Sequence, residues 1–192
     1  AAPRRRGWAT PTRVDQLWVA DFSYVWTLAG FVYVAFVVDV FSRRILGWRV
    51  TTTKHTGMVT DALRQALQVR RRGEHDWVAA GLIHHSDAGS QYVSVAFTAE
   101  LLAAGIAGSI GTVGDALDNA LCESTIGLFK TEAINLTGPA WADRRDVEWQ
   151  VARWVHWYNT DRLHSSIGHL PPVEFEHHHR QARTATPNQE VA

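Results

Sequence analysis

Between Leu17 and Trp26 the side chains alternate, with Trp18, Ala20, Phe22, Tyr24 and Trp26 on one parity and Leu17, Val19, Asp21, Ser23 and Val25 on the other. A period of two places these sets on opposite faces of a strand, with one carboxylate, Asp21, inside it. After Leu28-Ala29-Gly30 comes Phe31 to Val40, an almost unbroken apolar run that predicts a central strand covered on both faces. Residues 43 to 51 complete an antiparallel meander. The period then changes to about 3.6. Val59, Ala62, Leu63, Ala66, Leu67 and Val69 mark one face of a helix that stops around Arg70-Arg71-Arg72-Gly73, where arginines in the last turn suit the helix dipole. A short strand, Ala79 to His84, runs into the loop Ser86-Asp87-Ala88-Gly89-Ser90. Ser94 is the expected cap of a second helix, and Ala107 to Ile110 form a last strand. Glycines 105, 108, 111 and 114 predict a mobile loop. Asp118 to about Ile134 reads as a helix. Asp143 is the expected cap of another, whose Val147, Val151, Trp154, Val155 and Tyr158 form an i, i+4, i+7, i+8, i+11 stripe.

Three strands, a helix, a strand, a helix, a strand and two helices predict an α/β fold, a mixed five-stranded sheet flanked by helices. The RNase H-like fold has this order. Residues 1–13, rich in Arg, Pro and Thr, read as a linker or arm, 14–176 as the core, and 177–192 as a flexible polar tail containing His177, His178 and His179.

With 46% hydrophobic and 20% charged residues, nine Trp and seven Phe, the 192-residue chain has the bulk to build a core, and disorder throughout is excluded. A lone cysteine, Cys122, allows no internal disulfide and predicts a reducing compartment. The absence of a long uncharged stretch predicts a cytoplasmic chain that is neither spanning nor exported. Net charge is zero, which disfavours nucleic-acid binding by bulk electrostatics alone. Yet residues 1–96 carry 12 basic against 7 acidic side chains, and residues 97–192 carry 7 against 12, so a basic face is available. Only Lys54 and Lys130 are lysines, which marks both for inspection.

Asp21 sits mid-strand among large apolar residues, where an ionised carboxylate requires a cation or hydrogen-bond donors. Asp87 follows a buried strand at its carboxyl end, where ligands of sheet proteins bind. Glu123 lies on a helix beyond the Gly-rich loop. Three carboxylates on separate elements suit Mg²⁺, a hard ion that takes oxygen ligands. Two such ions would serve an in-line phosphoryl displacement. Lys130, seven residues after Glu123, shares its helix face and is placed to meet a phosphate. The bland alternatives are a hydrogen-bonded core acid, a turn residue and a solvated helix residue. Zinc at His84-His85 is disfavoured, since adjacent strand residues point to opposite faces.

Taken together, Trp18-Val19-Ala20-Asp21-Phe22-Ser23-Tyr24, His84-His85-Ser86-Asp87-Ala88-Gly89-Ser90-Gln91-Tyr92 and Asp118-Asn119-Ala120-Leu121-Cys122-Glu123-Ser124 resemble the DDE core of bacterial insertion-sequence transposases. The nearest group is the one expressed from two overlapping reading frames, kin to retroviral integrases. Thirty-five residues separate the last two acids. Asp39 to Trp48 and Tyr158 to His164 extend the likeness to roughly residues 14–176. The resemblance implies that Asp21, Asp87 and Glu123 are catalytic metal ligands for Mg²⁺ or Mn²⁺. It also implies DNA strand cleavage followed by attack of the freed 3′-OH on another phosphodiester. Lys130, Asn119 and Arg162 are the expected DNA contacts, with support of the active-site helix the other role open to Arg162. The implied partners are transposon-end and target DNA, further copies of the chain, and a helix-turn-helix partner or N-terminal region outside it. Two alternatives stay open: an RNase H-like nuclease without strand transfer, and a non-catalytic remnant that binds DNA or its relatives.

Overall fold

The computed structural model describes residues 11–73, 76–86, 90–110, 120–135 and 141–185. Strand β1 (Leu17–Thr27) pairs antiparallel with β2 (Gly30–Asp39), which pairs antiparallel with β3 (Ile45–Thr51). On its other edge β1 pairs in parallel with β4 (Ile83–Ser86), and β4 with β5 (Ala107–Ile110). The order β3-β2-β1-β4-β5 is the expected five-stranded mixed sheet.

Because β1 alternates, it feeds two cores. Leu17, Val19 and Val25 pack with β2 against α3 (Ala120–Leu128) and α4 (Arg144–Thr160), through Cys122, Ile126, Val147, Val151 and Trp154. Phe36 is fully buried there, edge-on to Phe129 at 5.3 Å and Trp154 at 6.0 Å. Such ring pairs contribute about 0.5–1.5 kcal/mol each beyond their buried area. On the opposite face Trp18 and Ala20 meet α1 (Thr56–Gly73) and α2 (Val95–Ala103), through Met58, Leu63, Ala66, Phe97 and Leu101. Gly47 lets α1 lie close on β3, since a Cβ there would come within 2.0 Å of the Ala62 carbonyl oxygen. Ser94 caps α2 by accepting from Phe97 N, and Asp143 caps α4 by accepting from Arg145 N and Asp146 N, both as expected.

Three sequence expectations need correction. The fourth strand begins at Ile83 rather than Ala79, because Leu82 N turns back to the Ala79 carbonyl. The helix bearing Glu123 passes into a π-helical segment, Phe129–Asn135, instead of continuing as α. The chain beyond residue 176 does not fray at once: α5 runs Pro172–Ala185. Pro fits its first turn, where an N–H has no partner in any case. The inward face carries Glu176, which is buried, and Phe175 and His179, which pack on Phe41 at 5.3 and 4.8 Å. Residues 1–10 and most of the Gly-rich loop, 111–119, lie outside the described residues.

What anchors α5 is an ion cluster at the end of the sheet where β2 finishes. Arg70, only 2% exposed, donates two bonds of 2.7 Å to Glu176 and one of 2.8 Å to Asp15 Oδ1, with Asp39 Oδ2 at 3.5 Å. Ser42 Oγ and Arg44 Nη1 also donate to Glu176. Trp18 and Trp77, stacked at 5.9 Å, each donate an indole N–H to Asp15. Burial opposes its charge, yet the bonded Arg70 and then Arg44 hold Glu176 down at about 2. Arg70 itself is held protonated more firmly than usual by the three acids, against the effect of burial.

Candidate active site

Asp21 has the parity of Val19 and Val25, so its side chain leaves β1 on the face covered by α3. It is half-buried, and Oδ1 accepts the Phe22 N–H at 2.7 Å. β4 stops at Ser86, paired with Ala20, one residue before Asp21 in the register. Asp87, next in the chain, lies outside the described residues, as does Asn119. Glu123 is exposed in the first turn of α3, where a carboxylate complements the helix dipole. The buried Cys122 and Ile126 of that helix share one core with Val19 and Val25 of β1. Two of the three expected acids therefore sit on elements packed against each other. Among the described residues, no group of three or more His, Cys, Asp or Glu is placed to hold a metal ion. Carboxylate oxygens suit a hard divalent ion in kind, with Glu123 exposed and Asp21 half-buried.

Both lysines lie over aromatic rings of β1, whose parity is opposite to that of Asp21. Lys130 Nζ lies 5.2 Å from the Tyr24 ring centroid, and Lys54 Nζ lies 4.7 Å from that of Phe22. The rarity of lysine was the one sequence signal that pointed to Lys54, which comes from the β3–α1 connection.

Arg162 serves as a clamp. Its Nε and Nη2 both donate to Glu132 Oε1, at 3.0 and 2.8 Å, and Trp154 Nε1 donates to Oε2 of the same carboxylate. Asn159 brackets the Ile45 backbone, accepting from its N–H and donating to its carbonyl. His164 sits edge-on to Tyr158 at 4.5 Å. The end of α4 thus pins the π-helical extension of the Glu123 helix, which favours the supporting role for Arg162 over a direct DNA contact.

The two histidines before Asp87 point apart, as strand geometry requires. His85 Nδ1 lies 3.1 Å from Ser109 Oγ, whereas the buried His84 ring packs edge-on to Phe97 at 5.3 Å. Burial, with His85 next to it, lowers His84 from 6.5 to about 4, so it is neutral near pH 7. The unfolded chain takes up this proton first, and stability falls as pH drops from about 6.5 to 4. At 1.36 kcal/mol per unit the loss is about 3 kcal/mol. Asp39 acts with the opposite sign, since burial raises it from 3.8 to about 6 against the pull of Arg70, and its contribution is lost as pH rises through that window. The two offset each other between about pH 4 and 6. His84→Phe is therefore expected to expose the Asp39 slope, with the urea midpoint falling as pH is raised across this interval. A variant profile parallel to that of the wild type would contradict the assignment.

Comparison with known proteins identifies the group. The integrase core domain family matches residues 11–116, and a second integrase core domain family matches 104–172. The chain belongs to the integrase core domain family. It is 51% identical over 164 residues to the transposase for insertion sequence element IS629 of Shigella sonnei, covering 85% of this chain and 52% of that protein. It is also 51% identical over 166 residues to a putative transposase for IS986/IS6110 of Mycobacterium tuberculosis, covering 86% of this chain and 59% of that one. This integrase core domain thus spans a little over half the length of these curated relatives. Among solved structures, the HTLV-2 integrase catalytic core domain in complex with magnesium superposes with a TM-score of 0.62 at 14% identity, over 90% of this chain and 99% of that one. A chain of the simian T-cell lymphotropic virus intasome gives 0.69 at 14% identity, over 98% and 60%. The fold is RNase H-like.

Proposed function

We propose that this integrase core domain is the catalytic core of a DDE-type transposase, which cuts DNA and joins the freed 3′-OH to another phosphodiester. The observation that supports this is that β1, which carries Asp21, and the helix that carries Glu123 share one core, while β4, beside β1, stops at Ser86 immediately before Asp87. The names of the insertion-sequence relatives support DNA as the substrate. Asp21, Asp87 and Glu123 would hold divalent metal, Mg²⁺ or Mn²⁺ and two ions by the chemistry of the donor set. When bound, such ions activate the attacking oxygen and stabilise the leaving one.

Each step is an in-line displacement at phosphorus, in which the bond to the attacking oxygen forms as the bond to the leaving oxygen breaks. The chain's own residues orient the substrate. Lys130, in the π-helical segment that continues the Glu123 helix and over the Tyr24 ring, meets a DNA phosphate near the carboxylates, with Asn119 as a further contact. The Arg162–Glu132 clamp holds the Glu123 helix in place. End recognition would come from a helix-turn-helix partner or region, and pairing of two ends would require further copies of the chain, acting on the nucleoid in the cytoplasm.

The test is product analysis. Linear DNA carrying the ends of the encoding element, labelled and incubated with the protein and Mg²⁺, should yield strands longer than the input. Cleavage without joined strands would assign a nuclease instead. If neither occurs and Mg²⁺ leaves the melting temperature unchanged, the domain is a binding scaffold.

A further inference from the structure

The cavity that the active-site chemistry leaves unused lies one stripe around α3. Its volume is about 550 Å³, and it opens between α3, the β2–β3 turn and the segment after α4. Leu121, Ser124, Thr125 and Leu128 face it at i, i+3, i+4 and i+7, so a whole side of α3 forms one wall. Glu123 precedes Ser124 by one residue and is exposed like it, which places the carboxylate on the adjacent stripe of the same helix. The other walls contribute Arg43, Arg162, His164 and His169, together with the hydroxyls of Ser165 and Ser166. No Asp or Glu is among the described lining residues, although acidic and basic side chains are equal in number over the chain.

The charges in this cavity are not equally committed. Arg162 is held by Glu132. Arg43 sits in the β2–β3 turn in the left-handed region, at φ 66°, and its Nε is buried with no hydrogen-bond partner among the described residues. Arg43 lines the cavity and, unlike Arg162, forms no ion pair with a carboxylate among the described residues, so its charge is open to an anion there. Guanidinium and hydroxyl donors without a competing carboxylate are the chemistry of a phosphate site. The volume is in the range of ligand clefts and exceeds what one small inorganic ion needs.

We infer that this cavity is a DNA backbone site, in which Arg43 and the Ser124, Ser165 and Ser166 hydroxyls receive a phosphodiester of the strand that crosses α3 from Glu123. The inference rests on the proposed function, and it extends the DNA path from Glu123 to the neighbouring stripe of α3.

Arg43→Gln removes the charge, and Ser166→Glu sets a repelling carboxylate at the exposed rim. Binding of each full chain to a fluorescein-labelled duplex is followed by anisotropy over a range of salt without divalent metal. Both variants are expected to bind several-fold more weakly, whatever the duplex sequence. For Arg43→Gln the log–log salt slope should fall by about 1, the value for one lost phosphate contact. Inorganic phosphate should compete with duplex less effectively in Arg43→Gln than in the wild type. If Arg43→Gln fails to fold, Ser166→Glu decides the matter. Wild-type duplex affinity and salt slope in the folded variants would overturn the inference while leaving strand joining, and so the proposed function, untouched. Loss of joining activity as the reading of this domain would leave the duplex-binding result to stand by itself.

Discussion

Asp21→Asn is expected to lower both nicking and strand joining by at least about a hundred-fold. Asn matches Asp in volume and retains an oxygen to accept the Phe22 N–H at 2.7 Å, so the local strand geometry is preserved. What changes is charge: a neutral amide is a poor ligand for a hard divalent ion, and loss of even an outer-shell partner costs about 10–100-fold in affinity or activity. Glu123→Gln and Asp87→Asn should behave alike if the three acids act as one site. Two further readings separate a lost ligand from a damaged fold. The urea midpoint of Asp21→Asn should stay close to that of the wild type. The rise in melting temperature that Mg²⁺ gives the wild type, which follows from binding to the native state alone, should shrink or vanish. Joining by Asp21→Asn at the wild-type rate would sink the assignment.

The second large effect is on stability. Arg70→Met is expected to destabilise the domain by about 3–5 kcal/mol, the range for breaking a buried ion pair from one side. Met fills a similar volume but leaves Glu176, 2% exposed, with Arg44 as its one remaining guanidinium partner, and leaves Asp15 and Asp39 facing it with no cation between them. At roughly 2–4 °C per kcal/mol for a chain of this size, the melting temperature should fall by on the order of 10 °C. Glu176→Gln should lose less, because Asp15 and Asp39 still neutralise Arg70, and its effect should appear first as protease sensitivity of α5. A loss under about 1 kcal/mol in Arg70→Met would mean that water reaches the cluster.

Much of this was legible in the sequence because the physics involved is local. Alternation along β1 and the apolar run of β2 identify strands, since successive side chains of a strand leave on opposite faces and both strands pack against helices on each side. Ser94 and Asp143 announce helix starts because a cap bonds N–H groups two or three residues away. Arg70, by contrast, reads in the sequence as one of three arginines ending a helix. Its role depends on Asp15, Asp39 and Glu176, up to 106 residues distant in the chain, and no local pattern reports a partner that far away. The polar stretch His177 to Arg180 reads as a tail for the same reason, because the helix there is stabilised by what Phe175, Glu176 and His179 meet.

The chain by itself determined most of the strands and helices and nominated three separated acids for one site, because side-chain period, capping and motif composition act over a few residues or survive as signatures. Only the tertiary structure decided that Arg162 holds Glu132, that both lysines lie over aromatic rings of β1, and that an arginine-lined cavity adjoins the Glu123 helix. Electrostatic and packing energies depend on distances through space, and these exist only once the chain has closed on itself.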